Sequence, residues 1–123
     1  MAVANGINPT FDKVNIGNSG TNTAVTQATS TATAVRINAA TGVITMFGPT
    51  ATPAGGESTF DLLSSQITAK SVIPINVASG SVGGTTQVFT KSAAAGSATI
   101  VLTNLHASVA ETGTLVLNFA VIN

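Results

Sequence analysis

Cysteine, tryptophan and tyrosine are absent from this sequence, and charged residues make up only 7% of it. Without cysteine there is no disulfide framework and no thiolate metal site. Five phenylalanines are the whole aromatic complement, which leaves few platforms on which bases or sugar rings could stack. The four basic residues, Lys13, Arg36, Lys70 and Lys91, are scattered. Phosphate binding needs clustered Lys and Arg, so no nucleic-acid partner is expected. Apolar residues come in runs far shorter than the roughly 18 that a membrane span requires, so no membrane partner is expected either. Residues Met1 to Phe11 hold neither a basic n-region nor an apolar h-region. No secretory signal is visible there, and synthesis in the cytoplasm of the producing cell is expected.

What is present is apolar and small. Hydrophobic residues make up 44% of the 123 positions, and four acidic residues balance the four basic ones. At zero net charge, self-repulsion does not keep molecules apart. A monomer so poor in charge risks precipitation, whereas a subunit of a larger assembly does not. The length suits one two-layer domain. The chain closes on Gly113 to Ile122, which is apolar at nearly every position. A strand apolar on both faces lies between packed layers or against another subunit. The chain therefore reads as an assembling β-protein rather than an enzyme.

Residues 1–11 read as an extended N-terminal arm, broken by Gly6 and Asn8-Pro9, and 12–123 as a single β-sandwich domain. Strands are expected near Lys13 to Ile16, Thr23 to Ala28, Ala34 to Asn38, Val43 to Phe47, Thr59 to Thr68, Ser71 to Ala78, Thr86 to Lys91, Ala98 to Asn104 and Thr114 to Ile122. Nine strands leave no room for helices. Ala39-Ala40-Thr41-Gly42 and Ala93-Ala94-Ala95-Gly96 read as hairpin loops with a left-handed glycine. Residues 48–57 and 80–86 read as connections that cross between sheets. Pro74 assigns its strand to an edge or marks a bulge. Leu115, Leu117, Phe119 and Val121 alternate with Val116, Asn118, Ala120 and Ile122, as Ile100 and Leu102 do with Thr99, Val101 and Thr103. The expected fold is all-β: an antiparallel β-sandwich, jelly-roll-like.

Chemistry-bearing residues are few. His106 is the lone histidine and has only Glu111 as an acidic neighbour in sequence, so it reads as a hydrogen-bonded turn residue rather than a metal ligand. Glu57 and Asp61 are the one carboxylate pair that could serve a glycosidase-like hydrolysis, and no aromatic sugar platform accompanies them. No Gly-x-Ser-x-Gly elbow is present. Gly80-Ser-Val-Gly-Gly84 lacks the lysine and spacing of a phosphate loop and reads as a plain flexible loop. The Thr-x-Thr steps at 21–23 and 29–33 do not recur at a fixed period, so they read as solvent-facing threonines rather than an ice-binding array. Neither catalytic residues nor a metal or other cofactor is expected.

Thr26-Gln-Ala-Thr-Ser30, Ala34-Val-Arg-Ile-Asn38, Thr41-Gly-Val-Ile-Thr-Met46, Ser97-Ala-Thr-Ile-Val-Leu-Thr-Asn104 and Leu115-Val-Leu-Asn-Phe-Ala-Val-Ile122 resemble small proteins from the structural gene modules of tailed bacteriophages, especially those of cyanobacteria and marine bacteria. Residues 47–92 match only in pattern. The resemblance implies a capsid cement (decoration) protein, a jelly-roll subunit forming homotrimers on the outer surface of the virion over junctions of the major capsid protein. It brings no catalytic residue. On this reading Ile7 and Phe11 of the arm contact the capsid, and Val116, Asn118, Ala120 and Ile122 form the trimer interface. Related modules resemble parts of tail fibres, which leaves a second reading, an adhesin-type β-module that binds a host-cell surface.

Overall fold

In the computed structural model, residues 23–123 are described. They form eight strands and no helix: β1 (Ala24–Thr26), β2 (Val35–Arg36), β3 (Thr41–Thr45), β4 (Glu57–Leu63), β5 (Ile75–Ser79), β6 (Thr86–Ala94), β7 (Ser97–Asn104) and β8 (Val116–Ala120). Two four-stranded sheets result, the first ordered β1-β3-β8-β5 and the second β2-β4-β7-β6. They enclose one core, in which Ile44, Leu62, Ile100, Leu102, Leu115 and Leu117 are completely buried. The protein is a β-sandwich. The departure from an all-antiparallel sandwich lies in two short parallel pairs, β1 with β3 and β2 with β4. The expected strand Lys13 to Ile16 and the arm fall outside the described residues.

Period-two alternation decides which side chains meet between the sheets. Leu115, Leu117, Phe119 and Val121 are buried inward, while Asn118 is exposed and Val116 and Ala120 are half-buried on the outer face. Phe119 is thus a core residue, and an acidic substitution there tests the fold rather than an interface. Pro74 stands immediately before β5, which is an edge strand of the first sheet.

Among the described strands only β6 and β7 form a hairpin. Ala94 pairs with Ser97, and Gly96 at φ 84° closes the turn between them, as a left-handed glycine does without steric cost. Gly42 is different from expectation. It lies inside β3, opposite Phe119, and β2 and β3 belong to different sheets. Its lack of a side chain serves close packing, since a Cβ there would lie 2.7 Å from the Phe119 ring.

Every other connection crosses between the sheets, including 46–56 and 80–85. Because β3, β5 and β7 run antiparallel to β8, β8 and β4 respectively or to their neighbours, loops 46–56, 80–85 and 105–115 gather at one end of the sandwich. The loop 27–34 joins them, since β1 runs with β3 and β2 with β4.

Candidate interaction surfaces

The gathered loops are held by two completely buried polar side chains, Asn104 and Glu111. Glu111 Oε1 accepts hydrogen bonds from Ser81 Oγ at 2.7 Å and Thr86 Oγ1 at 2.8 Å. Its Oε2 accepts from the Val82 amide at 2.6 Å and the Gly113 amide at 3.0 Å. Burial pushes this carboxyl upward in pKa, but the donors from Ser81, Val82, Gly113 and Thr86 outweigh it and bring the value down to about 2. The four donors are neutral, so the charge is stabilised by aligned dipoles. Asn104 uses both ends of its amide. Its Oδ1 accepts from the amides of Thr85 (3.0 Å) and His106 (3.1 Å), and its Nδ2 donates to the carbonyls of Val109 (2.9 Å), Thr52 (3.2 Å) and Pro53 (3.3 Å).

Loop 80–85 is consequently pinned, against the expectation of a plain flexible loop. Gly80, at φ 90°, passes so close to the 113–115 backbone that a Cβ would lie 1.9 Å from the Thr114 carbonyl oxygen. His106 is the hydrogen-bonded turn residue expected of it: Nδ1 accepts from the amides of Ser108 (3.1 Å) and Val109 (3.0 Å). Its Nδ1 is therefore occupied. Among the described residues no group of three or more His, Asp or Glu side chains could hold a metal ion.

The carboxylates of Glu57 and Asp61 do not meet. Both are exposed on the outer face of β4, and four residues of strand separate them by about 13 Å, beyond the roughly 5–9.5 Å of glycosidase pairs. Asp61 instead accepts a hydrogen bond from Thr99 Oγ1. Thr29 to Thr33 lie in a loop rather than on a strand face. A cleft of about 520 Å³ runs between edge strands β5 and β6, lined by Val72, Pro74, Val88, Phe89 and Thr90 among others, and none of the described residues lining it is titratable.

The distribution of charge separates two surfaces. Arg36, Glu57, Asp61 and Lys91 all belong to the second sheet, and Lys70 lies in the turn before β5. Among the described residues the first sheet has no charged side chain. Its outer face carries Val43, Thr45, Asn76, Val116, Asn118 and Ala120, brought together by the β3, β8 and β5 registers. Three of the four residues expected at an interface, Val116, Asn118 and Ala120, share this face. Asn76 Nδ2 donates to Asn118 Oδ1 across it. Ile122 lies beyond β8, bridged to Val72 and 41% exposed. Ile7 and Phe11 are outside the described residues.

The second surface is the loop end itself. Glu111 is the one carboxylate in its loops and is buried; the loops hold no Lys, Arg or Asp. Phe47, Val82, Leu105 and Val109 are exposed there by 40%, 58%, 58% and 41%. Neither Glu111 nor Asn104 could be foreseen as a pin, because the partners of Glu111 lie up to 30 residues away. The visible signal was an isolated acid between Ala110 and Thr112-Gly113 in a chain with few acids. Comparison with protein families, with curated proteins and with solved structures finds no match to this chain.

Proposed function

We propose that the chain is a capsid cement protein of a tailed bacteriophage, forming trimers on the outer surface of the head and bridging major capsid proteins to stabilise the shell. The observation that carries this reading is the charge-free outer face of the first sheet. Symmetric assembly brings copies of one surface close together, and a face of small, uncharged side chains meets another without like-charge repulsion or the desolvation of ions. The second sheet keeps the exposed charges of the strands, as a surface left to solvent does.

Cementing is then a matter of repeated modest contacts. Each trimer adds contact area across a junction, and this must be broken before internal pressure can separate the capsomers. Three linked subunits raise the effective concentration of every contact.

The test is to add purified protein to undecorated heads of the phage that encodes it and to measure bound copies and the temperature of DNA release. Binding in multiples of three with a higher release temperature is expected. Heads that stay bare at saturating protein would contradict the reading. Binding of the isolated protein to host cells instead would favour the tail-fibre alternative.

A further inference from the structure

We infer that the loop end displaying Phe47, Val82, Leu105 and Val109 is the surface that presses on the shell, against an uncharged apolar protein surface. The inference rests on the cement reading and on a trimer joined through the first sheet. It begins with the cost of building this end. Burying a carboxylate and a carboxamide with nine hydrogen bonds between them holds irregular loops in one shape. Those loops expose aliphatic and aromatic side chains, which a stable sandwich has no need to place in water. Pre-formed loops lose little conformational entropy on docking.

Shape and charge define the partner. A cleft of about 290 Å³ opens at this end, lined by Phe47, Pro49, Ala51 and Pro53 together with the neutral polar Thr52 and Ser58 and the carboxylate-bearing Glu57. Apart from Glu57 and His106, the described residues of this end offer no exposed ionisable side chain to meet a phosphate, a charged lipid headgroup or an acidic peptide. A protein surface with apolar projections and few charges is what it fits.

Area and symmetry favour the shell over a second copy meeting end to end. Four partly exposed side chains present roughly 300–400 Å² of apolar surface, short of the ~800 Å² per partner of a stable pair. A rotation axis along the strands points every subunit's corresponding end the same way. With its axis in that direction, a trimer joined through its sheet faces presents three loop ends on one side, together about 1,000 Å². This is enough for one stable contact and is available only to a partner spanning all three.

The experiment uses trimers of Val82→Asp and of Leu105→Asp, with Thr59→Asp on the outer face of the second sheet as a control. Light scattering and thermal melts are measured first, then occupancy on undecorated heads. The loop-end variants are expected to keep trimer mass and melting temperature and to lose shell affinity by at least about tenfold, since each substitution is present three times. The control is expected to bind like the unmodified protein. Should a loop end break the fold when charged, Leu105→Ser supplies the same comparison. Intact variant trimers with unmodified occupancy would overturn the inference, as would an equal loss in the control. If the unmodified protein itself leaves heads bare, the cement reading fails first.

Discussion

Glu111 is the residue on which the loop end depends most. Replacing it with Gln sets an amide group against amide donors, and at neutral pH should cost about 3 kcal/mol, measured by denaturant unfolding. The pH dependence has a definite sign. The folded-state value of about 2 lies below the ordinary 4.5, so the stabilisation is fully present above about pH 4.5 and is lost as pH falls toward 2. The shift corresponds to about 3 kcal/mol. The unfolding free energies of native protein and Glu111→Gln should accordingly converge between pH 4.5 and 2. Curves that stay parallel across that window would show that the carboxylate's charge is not what the network stabilises. Nothing local in the sequence reveals this, because the donors Ser81, Val82 and Thr86 come from a loop and strand 25 to 30 residues upstream.

At the scale of elements, two glycines that look alike in sequence behave differently. Gly96 has positive φ and open space around its missing Cβ, whereas Gly42 has extended strand neighbours and a Phe119 ring at 2.7 Å. Gly96→Val should cost about 1–2 kcal/mol, and Gly96→Asn should recover much of it because Asn tolerates the left-handed region. At position 42, Val and Asn should both destabilise, since either adds atoms against the ring. Thermal melts of the four variants check this. Strand positions were legible because short runs rich in apolar and β-branched residues, such as Thr99 to Thr103 and Leu115 to Ile122, are separated by turn-forming residues. The two-residue period of a strand also placed Val116, Asn118 and Ala120 on a common face. Sheet membership was not legible. Ala39 to Gly42 has the composition of a turn, yet its flanking strands join opposite sheets, and the parallel pairing of β1 with β3 arises from long-range packing rather than from either strand's own pattern.

For the whole molecule, the proposed assembly depends on which face is left uncharged for other copies. Phe119→Asp places a charge between the sheets, where Phe119 is 5% exposed, and should give unfolded or insoluble protein. Ala120 is the adjacent residue and points to the opposite face, so Ala120→Lys should leave the core undisturbed while placing three like charges at the proposed trimer interface. The most direct measurement is the light-scattering mass of the purified native chain beside that of Ala120→Lys, with melting temperature as the check on folding. Trimer formation through the first sheet should give three times the chain mass for the native protein and a folded monomer for the variant. A native monomer at every concentration, or a variant that remains trimeric, would contradict assembly through the first sheet.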